Sequence, residues 1–163
     1  MAFRRILTAV AIAASALLVA PTAYADQADP ADTDQAWYRI QSYTVRNDVW
    51  DQTNWDWDPI YPTIAHPSHG GANQQWSISD DGTFLDREYG WCATAVDGVV
   101  AGRACEHLPE QRWKGSPSGD YEYWLIELEG TGLCVTHDGT YAPLRLANCD
   151  FERHDQRWII GSV

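Results

Sequence analysis

Gln74-Gln75-Trp76 returns along the chain in two further versions, Gln111-Arg112-Trp113 and Gln156-Arg157-Trp158. The three tryptophans stand 37 and then 45 residues apart. A motif that recurs at such an interval indicates a fold built from repeated units, each of which needs its neighbours to bury an apolar face. We therefore predict three structural repeats within one domain.

The residues ahead of the second and third tripeptides also recur. In both, a cysteine, a short strand-like run, an Asp-Gly turn and a second cysteine follow one another in the same order. The chain holds four cysteines, which allow three pairings. The repeat favours pairing within each unit, Cys92 with Cys105 and Cys134 with Cys149. A zinc site is the alternative, but it lacks close Cys-x-x-Cys spacing.

The N-terminal 25 residues are typical of a secretion signal. Arg4 and Arg5 precede an uncharged apolar run from Ile6 to Ala20, and Ala23-Tyr24-Ala25 is a small-x-small cleavage site. The apolar run is short for a membrane-spanning helix, which needs about 20 residues. We expect cleavage after Ala25 and a secreted, extracellular protein without membrane insertion.

Composition restricts the partners of the remaining chain. Residues 26–35 are acidic, rich in alanine and free of aromatic residues, which predicts a flexible leader before a single domain at 36–163. The formal net charge of the whole chain is −12. Such a protein repels phosphate backbones and acidic membrane surfaces, so we expect neither nucleic-acid binding nor attachment to an anionic membrane.

Local patterns predict an all-β domain. We find no convincing helix after residue 25, and short β-leaning runs alternate with Asp-Gly and Ser-Gly turns. The predicted strands are Trp37 to Val45, Gln75 to Ser79, Gly82 to Leu85, Cys92 to Val96, Tyr121 to Glu127, Leu133 to Thr136, Pro143 to Leu146 and Arg157 to Ile160. Together with the threefold repeat they predict a three-lobed, closed arrangement of strands.

Taken together, these residues resemble the ricin B-type lectin domain, the (Gln-x-Trp)3 β-trefoil. The resemblance covers about residues 36–162 and implies a β-trefoil of three pseudo-repeats, two with an internal disulfide. It implies that each Trp packs in the shared core and that each Gln holds the local backbone, a structural role for Gln74, Trp76, Gln111, Trp113, Gln156 and Trp158. It also implies a glycan or glycoconjugate partner, no catalytic machinery and no cofactor.

Sugar pockets of that family combine three features in one lobe. An Asp stands two residues after the first Cys, an aromatic ring follows, and an Asn directly precedes the Gln of Gln-x-Trp. In the second lobe the Asp and Asn positions hold Thr94 and Glu110, and in the third they hold Thr136 and Asp155. We expect these two lobes to be scaffold, with sugar contacts through Glu110 or Asp155 as the alternative.

The first lobe is the predicted binding site, because Asn73 directly precedes Gln74. Counting from Ile40 puts the Asp position at Trp50, whereas a one-residue insertion puts it at Asp51. We predict carbohydrate binding by Trp50, Asp51, Asn73 and Gln74, with Trp50 or a neighbouring ring stacking on the sugar. The alternative is that the rings of this stretch pack inward where the disulfide is missing.

Other chemistry has weaker support. His66 and His69 could bind a metal, but in a Pro- and Gly-rich loop we interpret them as incidental, and we expect no metal site. The spacing of Asp48, Asp51 and their acidic neighbours does not match a calcium loop. We therefore expect a secreted, non-catalytic carbohydrate-binding module rather than an enzyme. An extracellular protein-interaction or inhibitor module is the alternative, and a small hydrolase has the least support.

Overall fold

The computed structural model of the protein describes residues 35–55, 58–119 and 122–163. The predicted signal at 1–25 lies outside the described residues, as does the predicted leader except for Gln35. Within the described ranges the chain forms twelve strands and three short 3₁₀ helices.

The strands are β1 (Tyr38–Ser42), β2 (Asp48–Gln52), β3 (Thr63–Pro67), β4 (Trp76–Ile78), β5 (Phe84–Asp86), β6 (Cys92–Val96), β7 (Val99–Arg103), β8 (Trp113–Pro117), β9 (Trp124–Leu128), β10 (Leu133–Thr136), β11 (Arg145–Asn148) and β12 (Trp158–Ser162). The 3₁₀ helices are Ala72–Gln74, Pro109–Gln111 and His154–Gln156. None of the helices in the described part of the chain is long and apolar enough to cross a membrane.

The strands fall into three lobes of four, namely β1–β4, β5–β8 and β9–β12. In each lobe the second and third strands form a hairpin, a 3₁₀ helix follows, and the Trp of Gln-x-Trp begins the fourth strand. The Gln of the motif is the last residue of the 3₁₀ helix in all three lobes. The repeat seen in the sequence is therefore a repeat of local backbone structure.

Strand pairing closes the sheet into a ring. β1 pairs with β12 antiparallel along its whole length, from Tyr38 opposite Ser162 to Ser42 opposite Trp158. The three lobe hairpins also contact one another, since Val100 N–H donates to Leu144 O at 2.9 Å and Leu144 N–H donates to Thr63 O at 2.9 Å. The all-β, three-lobed trefoil predicted from the sequence is confirmed.

The core lies where the three lobes meet. The tryptophans of the three motifs are almost fully buried, with exposures of 0% for Trp76, 3% for Trp113 and 0% for Trp158. Burying aromatic side chains of this size supplies much of the hydrophobic stabilisation of a small domain. The predicted core role of these rings is confirmed.

Two disulfides join Cys92 to Cys105 and Cys134 to Cys149, as the repeat predicted. Each one ties the second strand of a lobe to the segment after its hairpin. The first lobe has no cysteine in either place.

Candidate functional site

The side chain of the glutamine in each Gln-x-Trp motif joins separate segments of its lobe by hydrogen bonds. In the second lobe Gln111 Nε2 donates to Thr94 Oγ1 at 3.0 Å and to Ala104 O at 2.7 Å, while its Oε1 accepts from Glu106 N–H at 2.8 Å. The side chain is buried, so these bonds satisfy both ends of its amide.

The third lobe repeats the pattern. Gln156 Nε2 donates to Thr136 Oγ1 at 3.2 Å and to Asn148 O at 3.0 Å, and Asp150 N–H donates to Gln156 Oε1 at 2.9 Å. The acceptor hydroxyl again belongs to a threonine two residues after the first cysteine of the lobe.

In the first lobe the same glutamine network reaches a carboxylate. Gln74 Nε2 donates to Asp51 Oδ2 at 2.8 Å and to Pro67 O at 3.1 Å, and His69 N–H donates to Gln74 Oε1 at 2.9 Å. Asp51 therefore occupies the place of Thr94 and Thr136. Of the two registers that the sequence left open, the structure selects the one with the inserted residue.

This register also identifies what replaces the missing disulfide. Asp51 stands two residues after Val49, and Pro67 directly precedes Ser68, so Val49 and Ser68 hold the two cysteine positions. Asn47 O accepts from Ser68 N–H at 2.8 Å, which keeps the two segments together. Backbone pairing and burial of Val49 thus replace the covalent link.

The prediction that Trp50 stacks on a sugar is wrong. Trp50 is 0% exposed and packs edge to face on Trp76 and Trp158, with ring centroids 5.8 and 5.6 Å away. The equivalent residues of the other two lobes are Ala93 and Val135. The three positions correspond, because the backbone carbonyl of each accepts the indole N–H of the motif tryptophan in its own lobe. The Trp50 ring fills core volume and cannot reach a ligand.

Asp51 and Asn73, in contrast, come together at the surface of the first lobe. Asn73 Nδ2 donates to Asp51 Oδ1 at 2.9 Å and lies 3.3 Å from Gln52 O. Asp51 Oδ2 also lies 3.0 Å from His69 Nε2. Because His69 Nδ1 accepts from Gly71 N–H at 3.2 Å, the neutral imidazole carries its hydrogen on Nε2 and donates it to the carboxylate.

A cavity of about 270 Å³ lies above this carboxylate. Its walls come from all three lobes and include Asp51, Trp55, His66, Asn73, Tyr89 and Tyr141. Tyr89 precedes β6 in the second lobe, and burial raises the pKa of its phenol. The cavity is therefore shared between lobes, although its carboxylate, amide and imidazole groups belong to the first lobe.

Tyr141 is the exposed ring of this cavity. It lies in the turn between β10 and β11, is 62% exposed, and stands edge to face on His66 with ring centroids 5.0 Å apart. Its φ of 67° lies in the left-handed region, and its N–H donates to Ala65 O at 2.6 Å. This backbone bond fixes a loop of the third lobe against β3 of the first.

Sequence reasoning missed both tyrosines. Tyr141 is 90 residues from Asp51, and Tyr89 is 38 residues from it. The Asp138-Gly139 turn gave the one signal, since it predicted a hairpin loop near Tyr141 but not what that loop would face.

The corresponding places in the other two lobes are not alike. The hydroxyl of Thr94 donates to Cys92 O at 2.9 Å and so is held by its own lobe. Asp155 forms a two-point ion pair with Arg153, whose guanidinium lowers the pKa of that carboxyl. Glu110 is exposed. Neither lobe sets a carboxylate beside an amide as the first lobe does.

One group in the cavity could hold a metal ion. Asp51, His66 and His69 place one ligand atom each within 4.8 Å of one another. His66 Nδ1 lies 3.9 Å and His69 Nε2 lies 3.0 Å from Asp51 Oδ2.

Comparison with known proteins agrees with the fold. The model of the ricin-type beta-trefoil lectin domain matches residues 31–158. No curated protein sequence matches the chain.

Solved structures of the same fold include a Macrolepiota procera ricin B-like lectin in complex with lactose. It is 21% identical over 77% of this chain and 94% of its own, with a TM-score of 0.64. A Vibrio vulnificus hemolysin/cytolysin beta-trefoil lectin with N-acetyl-D-lactosamine bound is 16% identical over 80% of this chain and 96% of its own, with a TM-score of 0.64. A mosquitocidal holotoxin is 17% identical over 80% of this chain, with a TM-score of 0.70, but the match spans 17% of the toxin chain.

Proposed function

Because the chain belongs to the ricin-type beta-trefoil lectin domain family, we propose that it is a secreted, non-catalytic module that binds carbohydrate in the first-lobe cavity. The observation that carries the proposal is the meeting of the Asp51 carboxylate and the Asn73 amide in a cavity that the exposed ring of Tyr141 also lines. A sugar presents fixed hydroxyls and one apolar C–H face, and these groups are complementary to both.

The hydrogen-bonding capacity of Asp51 suits one sugar hydroxyl. An ionised carboxylate has about four acceptor sites, and the N–H groups of Asn73, Gln74 and His69 occupy three of them. These donors also fix the carboxylate in one orientation before a ligand arrives, which lowers the entropy cost of binding. The carbonyl oxygen of Asn73 is a second acceptor at the same place.

Tyr141 supplies the stacking surface in this proposal. Its ring is the most exposed large apolar side chain among the described residues, and its backbone is held by a hydrogen bond to Ala65. A ring whose backbone is already held in place can contact the C–H face of a sugar without the entropy cost of ordering the loop.

The charge of the protein favours neutral ligands. With a net charge of −12, sulfated or carboxylated glycans would be repelled over the range of the Debye length. The Macrolepiota procera lectin was solved with lactose and the Vibrio vulnificus lectin with N-acetyl-D-lactosamine. Neutral disaccharides of this type are the first probes to use.

An extracellular protein-interaction module is the second candidate. Its support is the pair of threonines, Thr94 and Thr136, which replace the carboxylate in two lobes. With one competent lobe the protein lacks the avidity of three linked sites.

A glycan-array screen of the disulfide-intact protein, followed by titration with lactose in EDTA, tests the proposal. We expect a reproducible set of neutral glycans, and loss of binding in Asn73→Ala and Tyr141→Ala. Glu110→Ala is the matched control, since it changes the residue before Gln111 in the second lobe and should leave binding unchanged.

Each other outcome has a definite meaning. Binding that survives both Asn73→Ala and Tyr141→Ala but falls in Glu110→Ala would move the site to the second lobe. No binding by a folded, disulfide-intact protein would reject the lectin proposal and favour the protein-interaction module, for which a pull-down is the next step.

Secretion is tested separately. Expression of the full chain in an exporting host should release into the medium a protein that begins at Asp26, as read by N-terminal sequencing. Retention in the cell with Met1 still present would contradict this part of the proposal.

A further inference from the structure

We infer that Asp51, His66 and His69 form a binding site for a divalent transition-metal ion of the Zn²⁺ type. The three residues come from β2, β3 and the loop after β3, and each places a ligand atom within 4.8 Å of the other two. Two imidazoles and a carboxylate are the ligand set that Zn²⁺ and its neighbours in the first transition row bind well. The inference concerns the metal alone and does not rest on the proposed sugar binding.

The distances suit a small ion. Zn²⁺ binds nitrogen and oxygen ligands at about 2.0–2.2 Å in tetrahedral geometry, which places neighbouring ligand atoms about 3.3 Å apart. Asp51 Oδ2 lies 3.0 Å from His69 Nε2 and 3.9 Å from His66 Nδ1. Shifts of less than 1 Å would therefore bring both nitrogens to the required distance from the carboxylate oxygen.

The three side chains differ in a way that allows this adjustment. The side chain of Asp51 is 7% exposed, and Gln74 and Asn73 fix its carboxylate. The side chains of His66 and His69 are 31% and 46% exposed, so they have room to turn. A ligating carboxylate that is itself oriented by hydrogen bonds is a common feature of protein metal sites.

Two existing contacts would change on binding. The hydrogen on His69 Nε2, which now points at Asp51, moves to Nδ1, and the contact from Gly71 N–H is given up. Coordination by His66 Nδ1 replaces its 2.8 Å contact with the Pro67 carbonyl. Both imidazoles bind as neutral ligands, so any proton they carry is released and binding weakens at acidic pH.

The surroundings add two further reasons. The net charge of −12 attracts a cation to the surface. All three ligands also line the 270 Å³ cavity, so water or a ligand oxygen can take the fourth coordination position, as at open zinc sites.

Two other histidine–carboxylate contacts lack a third ligand. His137 lies 2.9 Å from Asp48 and is buried, and His107 lies 3.0 Å from Asp81 and is exposed. Among the described residues only Asp51, His66 and His69 make a group of three. The His107 contact has the same chemistry and distance as that of His69, which makes it a matched control.

Calorimetric titration of the full chain with Zn²⁺ tests the inference, after removal of any histidine tag and with both disulfides closed. We expect one ion per chain. His66→Ala and His69→Ala should each weaken binding by more than about 10-fold, because even residues that only orient a ligand contribute 10–100-fold. His107→Ala should bind as the wild type does.

A second readout reports ligand geometry rather than heat. The visible absorption spectrum of the Co²⁺-loaded protein should change in His66→Ala and in His69→Ala but not in His107→Ala. Far-ultraviolet circular dichroism confirms that the variants are folded, which their partly exposed positions favour.

The inference is overturned by wild-type protein that takes up no Zn²⁺, or by binding that persists in both histidine variants. Equal loss in His107→Ala would overturn it as well, since the ion would then lie elsewhere on the acidic surface. Lactose titration in EDTA is independent of these results, so failure of the metal site and failure of the sugar site are distinguishable.

Discussion

A buried contact joins the third lobe to the first, and removing it should destabilise the protein strongly. His137 Nε2 lies 2.9 Å from Asp48 Oδ2, and Thr140 Oγ1 donates to the same oxygen at 2.6 Å. The two side chains of the pair are 6% and 2% exposed. His137→Ala leaves the Asp48 carboxylate buried with Thr140 as its remaining side-chain donor.

The size of the effect follows from burial. Leaving a buried hydrogen-bonding group without its partner costs about 1–3 kcal/mol and more for a charged group, so about 3 kcal/mol is expected for the Asp48 carboxylate. The exposed pair of His107 and Asp81 has nearly the same separation, 3.0 Å, but its side chains are 66% and 45% exposed. Pairs of that kind contribute at most about 1 kcal/mol. We therefore expect His137→Ala to destabilise by at least about 2 kcal/mol more than His107→Ala.

Urea unfolding at pH 7 under non-reducing conditions measures the difference. The free energy of unfolding is obtained by linear extrapolation, and an unchanged slope confirms that both variants unfold to the same state. Asp48→Ala, made alone and in the His137→Ala background, completes a double-mutant cycle, which isolates the energy of the pair from the loss of packing.

Equal destabilisation by the two histidine variants would refute the reasoning. It would mean that water reaches the Asp48 carboxylate once His137 is shortened and takes the place of the lost partner. A coupling energy near zero in the cycle would refute it equally.

The remaining predictions concern pH, the site and the disulfides. Burial raises the pKa of Asp86 to about 6 from 3.8, so its protonated form is favoured in the folded state. The stability that the protonated carboxyl contributes is present below pH 4, and about 3 kcal/mol of it is lost as the pH rises through 6. The difference in unfolding free energy between wild type and Asp86→Asn, followed across pH 4–7, measures this loss. Gly71→Ala places a methyl group 2.6 Å from both Asn73 Oδ1 and His69 Cε1, so it displaces two partners of Asp51 and should weaken lactose binding about 10-fold, the equivalent of one hydrogen bond. Gly161→Ala meets nothing within 4 Å and should bind normally. Replacing Cys134 and Cys149, 15 residues apart, by serine should cost about 3 kcal/mol in urea unfolding.

The sequence was sufficient to predict the fold because the trefoil repeats its decisive residues. Each Gln-x-Trp supplies a buried amide and a buried indole, and both need the same backbone partners in every lobe. Because the requirement is the same in every lobe, the same residues recur in the sequence at the corresponding positions. The two disulfides were predictable for the same reason.

The strands of the first hairpin were harder to recognise. β2 contains Asp48, Asp51 and Gln52, and all of them are buried. Polar residues in a strand normally indicate a solvent-facing side, so the alternation of apolar and polar residues that marks a strand is hidden here. Their burial is satisfied by partners distant in sequence, such as His137 for Asp48.

The site was predicted in part. Asn73 and Asp51 do meet, because the motif glutamine fixes the position of both. Trp50 was assigned to the wrong side of its strand, since a shift of one residue moves a side chain from one face to the other. Tyr141 could not be predicted, because its place depends on how the third lobe packs against the first.

The pairing of β1 with β12 has a consequence for how the chain reaches its final state. The first strand of the domain takes its longest partner from a strand that is synthesised much later, 124 positions on between Tyr38 and Ser162 and 116 positions on between Ser42 and Trp158. Until those residues arrive, β1 is an open edge whose backbone groups face water and any other chain nearby. The first lobe therefore cannot complete its strand pairing until the third lobe has been synthesised. A product truncated before β12 would leave the β1 edge unpaired. Completion of the ring pairs this edge, and unpaired strand edges are what make incompletely folded chains associate.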